Sequence, residues 1–283
     1  MNPTGVAVRA GLERGRIEFR QSVTSAQDLW GAAFFPLIAL VVMFLLRGNT
    51  VPGTGFSVGS HSVPGILAMN VVFNGLTAVA VVLTMDREDG TLLRAKAIPG
   101  GMLGYLVGKV TGRSGMVVVS VLVPLVPAAL LFDGLDLASV SSWLTVAWVL
   151  ALGLAAVLPL GAVIGSLTAS TQSLSVVSLP IMVLLAVSGV FYPITALPGW
   201  VQVIAQVFPL YWMGLGLRSA LLPDAMAAAE IGASWRHLET AGVLGAWAVA
   251  GLLLAPIVLR RMARRESGSS VAAKREKAMQ RPM

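Results

Sequence analysis

Long apolar runs alternate with short polar segments along the whole chain. Six runs meet or approach the ~20 residues that a helix needs to cross a hydrocarbon core. They cover residues 30–46, 63–85, 116–132, 143–167, 174–192 and 241–259, and the first and third are expected to extend slightly into their flanks. Hydrophobic residues make up 56% of the chain and charged residues only 12%, whereas about 25% are charged in soluble domains. The pattern therefore predicts an all-α polytopic membrane protein.

The uncharged stretch from residue 174 to residue 217 is too long for one span. It could form two spans, or one span followed by a segment that enters and leaves the membrane on the same side. Pro193, Pro198 and Pro209 interrupt helices, while Trp200 and Tyr211 suit the membrane interface. We expect six transmembrane helices, with residues 191–217 forming an external re-entrant or surface-lying hairpin before the last helix.

The basic residues are concentrated in three segments. Seventeen of the 20 Lys and Arg residues lie before the first run, between residues 86 and 113, or after residue 259. The positive-inside rule then predicts a plasma-membrane protein with both termini in the cytoplasm, and with residues 133–142 and 193–238 outside. Because the charge follows the membrane sides, the net charge of +7 does not indicate nucleic-acid binding.

We expect one transmembrane domain over residues 1–283. It divides into an amphipathic cytoplasmic arm (1–29), a six-span bundle (30–260) and a basic cytoplasmic tail (261–283). The arm places Val8, Leu12 and Phe19 on one helical face and Arg9 and Arg16 on another. It could simply anchor the first span at the interface, or it could act as an elbow helix against a cytoplasmic partner, and the two roles are compatible.

A charged segment from residue 86 to residue 109 separates the second and third runs. It predicts a short cytoplasmic helix over residues 91–98, about 12–15 Å long, which Gly90 precedes and Pro99 ends. Acidic residues before it and basic residues along it complement the helix dipole. Such a segment is a suitable attachment point for a soluble partner.

The residues that usually carry catalysis are few. Cysteine is absent and the two histidines, His61 and His237, fall in predicted external loops, where we expect them to be solvated. Residues 104–110, GYLVGKV, differ in spacing from a phosphate-binding loop and lack its Ser or Thr. We therefore expect no enzymatic activity, no metal site and no cofactor on this chain.

The predicted spans contain no acidic, basic or histidine side chain of the kind that proton-coupled carriers use. Sodium coupling through neutral ligands stays open, but energy supplied by another subunit fits better. A polar stripe along the second span either lines a cavity or bonds to a neighbouring helix. Its members are Asn70, Asn74, Thr77 and Thr84. The G-x-x-x-G spacings at residues 104–112 and 161–165 favour helix packing within the chain.

Two sequence blocks resemble one known family, the ABC-2-type permeases or type V ABC exporters, and within it the daunorubicin-resistance permeases. The first block has Arg87, Glu88, Gly90, Thr91, Leu92, Pro99, Gly108 and Lys109. The second has Ser188, Gly189, Pro193, Leu197, Pro198, Trp200, Pro209, Tyr211 and Arg218. The blocks occur in the family's order and on opposite predicted sides of the membrane.

The resemblance implies a permease subunit that pairs with a second permease chain, as a homodimer or a heterodimer, and with two ABC ATPase subunits that bind ATP and Mg. The charged segment would be the cytoplasmic coupling helix, with Glu88 foremost. The expected coupling residues are Asp86, Arg87, Glu88, Asp89, Gly90, Thr91, Arg94 and Lys96. The cargo would be a hydrophobic or amphipathic compound such as a drug, a lipid or a natural product. The alternatives are an ion-gradient-coupled carrier and a membrane scaffold that transports nothing.

Overall fold

The computed structural model describes residues 3–51, 55–168 and 171–265, and within these ranges the regular structure is helical. An isolated bridge joins Thr50 and Ser57. The α-helices are α1 (Pro3–Thr24), α2 (Ala26–Leu45), α3 (Val58–Glu88), α4 (Thr91–Lys96), α5 (Gly101–Leu131), α6 (Val140–Leu167), α7 (Thr171–Val187), α8 (Gly199–Val207), α9 (Pro209–Leu221) and α10 (His237–Arg265). Short 3₁₀ segments cover Ile194–Ala196, Asp224–Ala229 and Ile231–Ala233. The predicted all-α class is confirmed. Of the predicted tail, 261–283, residues 261–265 belong to α10 and the rest lies outside the described residues.

Five of the described helices, α2, α3, α5, α6 and α10, are long and apolar enough to cross a membrane. The pair α8 and α9, bent by 90°, would be a sixth if it is counted as one span. The predicted fifth run is occupied by α7, which has 17 residues. The chain is thus a multi-pass membrane protein with five or six candidate spans, and the sharp bend lies within the predicted external hairpin.

Two of the spans are longer than the membrane requires. α3 and α5 each have 31 residues and are therefore about 46 Å long, roughly 16 Å more than the hydrocarbon core. Their charged residues lie towards the ends that α4 connects, including Asp86 and Glu88 on α3 and Lys109 on α5. The excess length of α5 therefore lies mainly before its apolar run 116–132, on the side of α4, whereas α3 exceeds its apolar run 63–85 at both ends.

α4 is a separate short helix between the last residue of α3 and the first residue of α5. Gly90 before it has φ +78° and Gly100 after it has φ +69°, values that glycine adopts without a steric penalty. The helix ends at Lys96, two residues earlier than the predicted 91–98. Leu92 and Ala95, on the inner face of α4, are buried in a small apolar cluster that also contains residues of α3, α5, α6 and α10.

The central helix of the bundle is α3, which packs against α2, α5, α6, α7 and α9. Its contact with α6 is made by backbone as well as side chains. A Cβ atom on Gly161 would lie 2.7 Å from the carbonyl oxygens of Gly75 and Leu76, and one on Gly165 would lie 2.7 Å from Cα of Ala80. The second G-x-x-x-G spacing therefore packs helices within the chain, as predicted.

α1 packs lengthwise along the start of α5, also through glycines. A Cβ atom on Gly11 would lie 2.5 Å from the carbonyl oxygen of Gly104, and one on Gly15 would lie 2.7 Å from that of Gly108. The buried face of α1 contains these two glycines, whereas Leu12 is 47% exposed. Leu12, on the predicted apolar face of the arm, therefore lies outside the contact with α5. Small residues define the contact because they let two helix backbones approach closely, which a hydrophobicity pattern does not detect.

Candidate functional site

A cluster of ionised side chains joins α1, α3 and α5 next to α4. Lys109 Nζ lies 3.1 Å from Asp86 Oδ2 and 3.2 Å from Glu18 Oε1. Arg14 Nε donates to Glu18 Oε1 at 2.9 Å, and the Tyr105 hydroxyl donates to Asp86 Oδ2 at 2.7 Å. The two acids and the two bases balance in charge. We call Arg14, Glu18, Asp86, Tyr105 and Lys109 the junction cluster.

Glu18 is held in its charged form within the junction cluster. Burial raises the pKa of Glu18, but the hydrogen bond from Arg14 and the charge of Lys109 lower it by more, so the pKa lies below its usual value. Glu18 is therefore ionised at neutral pH. The sequence reasoning missed this residue, although Arg14 and Glu18 have the i, i+4 spacing of a helix ion pair.

Asp86 differs from its predicted role. It is buried, and its carboxylate is engaged by Lys109 and Tyr105 within the chain. A carboxylate committed to these bonds is not on the surface that a soluble partner reaches. The structure therefore removes Asp86 from the predicted contact surface and makes it a residue that positions the end of α3.

The other residues of the predicted coupling set surround α4. Arg87 Nη1 donates to the carbonyl oxygen of Thr168 at 2.9 Å, which ties the end of α3 to the end of α6. Asp89 Oδ1 accepts from the Thr91 backbone N–H at 2.8 Å, at the start of α4. Burial raises the pKa of Asp89, but the hydrogen bonds from Thr91 lower it by more, so the pKa lies below its usual value.

The outer surface of α4 and its flanks is charged. Asp89, Arg94 and Lys96 are exposed, and Glu88 is half-buried. Arg94 Nη2 donates to Thr91 Oγ1 at 2.9 Å, which holds its side chain along the helix. Because Leu92 and Ala95 fix the opposite face in an apolar cluster, α4 presents its charges from a well-supported position.

The polar stripe of α3 makes contacts within the bundle. Asn70 Nδ2 donates to the Ser120 carbonyl oxygen at 2.6 Å and to its hydroxyl at 3.1 Å. Asn74 donates to Asn70 Oδ1. Thr77 and Thr84 donate to carbonyl oxygens of their own helix at 2.6 and 2.9 Å. Asn70 thus joins α3 to α5, while Asn74 also lines a cleft of about 340 Å³ between α2, α3 and α5.

The second sequence block forms the segment from the end of α7 to the end of α9. The Ser188 hydroxyl donates to the Leu184 carbonyl oxygen at the end of α7. The next residue, Gly189, has φ +65° and turns the chain. Pro193 and Pro198 immediately precede a 3₁₀ segment and α8, and Pro209 begins α9 after the 90° bend. Trp200 is 70% exposed, which suits a membrane interface, whereas Tyr211 is fully buried.

Arg218 of α9 lies in a buried charged cluster that the sequence reasoning missed. Its Nε is 2.6 Å from Glu230 Oε1 and its Nη1 donates to the Gly189 carbonyl oxygen at 3.3 Å. His61 Nε2 lies 3.7 Å from the same Glu230 oxygen. A single acid inside the small apolar segment 225–233 was the available signal for Glu230, because an acid in such surroundings needs a buried partner.

The prediction that His61 is a solvated loop residue was wrong. His61 lies in the first turn of α3 and is 1% exposed. α3 begins at Val58, before the apolar run, so a helix rather than a loop contains the histidine. This also corrects the premise that the spans lack titratable side chains. His237, by contrast, is exposed at the start of α10, and its Nε2 lies 3.0 Å from Ser219 Oγ.

The sequence model of the ABC-2 type transporter family matches residues 17–222, from within α1 to the residue after α9. The chain belongs to the ABC-2 type transporter family. It is similar to the probable doxorubicin resistance ABC transporter permease protein DrrC from two strains of Mycobacterium tuberculosis, CDC 1551 / Oshkosh and ATCC 25618 / H37Rv. Each relative is 24% identical over 204 residues, which cover 71% of this chain and 73% of the relative.

The matched range includes both sequence blocks, α4 and every residue of the junction cluster except Arg14. This ABC-2-type permease is thus daunorubicin-resistance-like, as its motifs predicted, and the family implies an ABC ATPase partner and a dimeric permease. Within the part of the chain that the structure describes, no group of three or more His, Cys, Asp or Glu side chains could hold a metal ion.

Proposed function

We propose that this ABC-2-type permease exports a hydrophobic or amphipathic compound, such as a drug, a lipid or a natural product, across the plasma membrane. Separate ATPase subunits, two copies for each pair of permease chains, would bind ATP and Mg and supply the energy. The observation that carries the proposal is α4, a short helix with an apolar underside and a charged outer face that connects the ends of two long helices, α3 and α5.

The coupling mechanism follows from how α4 is connected. A push on α4 acts on both α3 and α5, because Gly90 and Gly100 link it directly to their ends. Through Lys109, the junction cluster adds α1 to the same moving unit. Glu88, Asp89, Thr91, Arg94 and Lys96 are the residues that would contact the ATPase. Glu88 has no side-chain hydrogen bond or ion pair among the described residues, which leaves its carboxylate available.

The orientation that this mechanism needs has both termini, α1 and α4 in the cytoplasm. The distribution of Lys and Arg supports it. The cargo class is supported by the apolar, uncharged surfaces of most spans and by the relatives whose name refers to doxorubicin resistance. Two copies of the permease would build one pathway, with the bilayer around them.

The first experiment is to purify the chain from its native membrane in mild detergent and identify the proteins that accompany it. We expect a stoichiometric ATPase that is lost on Glu88→Ala or Arg94→Glu, while membrane insertion is unchanged. Arg16→Glu is the matched control, because Arg16 is an exposed arginine of α1 and not of α4. A chain that purifies alone and moves solute in vesicles without ATP would contradict the exporter proposal.

One observation favours an ion-gradient-coupled carrier as the second candidate. His61, Arg218 and Glu230 form a buried titratable cluster, and such groups serve proton pathways in carriers. Proteoliposomes that contain the chain without an ATPase decide between the two. Accumulation of solute driven by a pH gradient alone, and abolished by His61→Gln, would favour the carrier.

A further inference from the structure

A largely apolar cavity lies between α3, α5, α6 and α10, on the side of the bundle where α4 is found. Its volume is about 160 Å³, comparable with the ~150 Å³ of dry protein cavities that take up an aromatic molecule. The apolar walls include Val79, Leu83, Leu158, Pro159, Leu252 and Leu259. A ring or part of a hydrocarbon chain fits such a space and would be held by apolar burial.

The α5 wall of this cavity differs from the other three because it carries two basic side chains, Lys109 and Arg113. Lys109 is engaged by the acids of the junction cluster. Arg113 is half-buried and, within the described residues, its side chain makes no ion pair or hydrogen bond. Asp28 lines an adjoining cleft with Arg113 but forms no ion pair with it. A half-buried cation without a partner is costly, unless it meets an anion that the chain itself does not provide.

The position of Arg113 along α5 indicates which anion. About 20 residues cross the hydrocarbon core, and counting back that far from Leu131 reaches the turn that contains Arg113. Side chains of a helix tilt towards its N-terminus, so Arg113 extends towards the membrane boundary beside α4. On α10, Leu259 lines the cavity and is followed by the exposed Arg260 and Arg261. Lipid phosphates lie at this depth, and arginine binds phosphate with strong charge-assisted hydrogen bonds.

We propose that this cavity binds an anionic phospholipid of the membrane leaflet next to α4, with part of an acyl chain between the four helices and the phosphate on Arg113. The site goes beyond the transport function and stands whether or not the chain exports a cargo. Because Lys109 shares the α5 wall with Arg113, a lipid in the cavity lies directly against the junction cluster. Occupancy of the cavity therefore bears on how α1, α3 and α5 are held together.

The headgroup is tested on the whole 283-residue chain, purified in mild detergent with any subunits that accompany it. Native mass spectrometry compares retained phosphatidylglycerol with retained phosphatidylcholine that has the same acyl chains. We expect a preference for phosphatidylglycerol, and we expect Arg113→Gln to reduce it about fivefold, the effect of one basic residue at a membrane surface. The control is Arg16→Gln, which removes the same charge from an exposed site on the same side and leaves the preference unchanged.

The acyl chain is tested by filling the cavity. Ala255→Leu adds volume at a lining position of α10 and should reduce phosphatidylglycerol retention, whereas Val249→Leu, at an exposed position on the same helix, should not. Equal retention of the two lipids by the unmodified chain, or an equal preference in the Arg113→Gln and Arg16→Gln variants, would overturn the proposal. Loss of a second permease chain in Ala255→Leu, with lipid retention unchanged, would also overturn it and assign this face to contact between copies.

Discussion

Arg218 Nε lies 2.6 Å from Glu230 Oε1, and both side chains are almost completely shielded from solvent. The pair connects α9 to the loop before α10, and His61 approaches the same carboxylate from α3 at 3.7 Å. The start of α3, which is distant in sequence, and two neighbouring segments, α9 and the loop after it, therefore meet at one acid at the end of the bundle opposite α4. Removal of one partner would leave a buried charge without compensation.

Glu230→Ala should destabilise the chain by about 3–5 kcal/mol, because it leaves the Arg218 guanidinium buried and unpaired. Thermal unfolding in detergent measures the effect. The double variant Arg218→Met/Glu230→Met should recover much of the loss, since apolar residues of similar volume often replace buried ion pairs without cost. Glu239→Ala is the control, because its carboxylate is about half-exposed and pairs with Arg236 near the surface. An equal loss in Glu239→Ala would contradict the burial argument.

The stabilisation from Glu230 should depend on pH only in acidic solution, below about pH 4.5. Burial raises the pKa of Glu230, but Arg218 and His61 lower it by more, so the folded-state pKa lies below the ordinary value of 4.5. The contribution is then fully present above pH 4.5 and is lost as the pH falls through the folded-state pKa. The difference in unfolding temperature between the unmodified chain and Glu230→Gln should stay constant from pH 7 to pH 5 and shrink in more acidic buffers. A difference that shrinks between pH 7 and pH 5 would contradict the lowered pKa.

Gly15→Ala should loosen α1 from α5. The new Cβ atom would lie 2.7 Å from the Gly108 carbonyl oxygen, so one of the two helices must shift, and overpacking of this kind costs about 1–3 kcal/mol. Faster amide hydrogen exchange in α1 measures the change. Gly5→Ala is the matched control on the same helix, since nothing lies within 4 Å of its added Cβ atom. Similar exchange in both variants would exclude the close glycine contact.

Lys109→Met should weaken the junction cluster, because Glu18 and Asp86 would lose the cation that they share. The pKa of Glu18 should rise towards its usual value, and exchange of amide protons should increase in both α1 and the end of α3. The coupled exporter should also lose transport while its ATPase subunit still hydrolyses ATP. Arg16→Met removes an exposed cation from α1 and should change none of these readouts. Unchanged exchange in Lys109→Met would show that apolar and glycine contacts suffice to hold the junction.

Local patterns in the sequence predicted the apolar runs, the short helix after Gly90 and the packing role of Gly161 and Gly165. Each of these depends on residues close together in sequence or on helix periodicity. The buried contact of His61 with Glu230 could not be predicted in this way, because it joins residues of α3 and of the loop before α10. Similarly, nothing in the local pattern of α1 shows that α5 presents four glycines to it, Gly104, Gly108, Gly112 and Gly115.

The length of α3 brings a polar contact to each of its two ends, since Asp86 pairs with Lys109 and His61 lies 3.7 Å from Glu230. Between them, Gly75 leaves almost no clearance against α6. α3 is therefore held at both ends and packed closely against α6 between them, so a tilt of α3 about the Gly75 contact would move its two ends in opposite directions. A conformational change that tilts α3 must break or exchange at least one of the contacts at its ends.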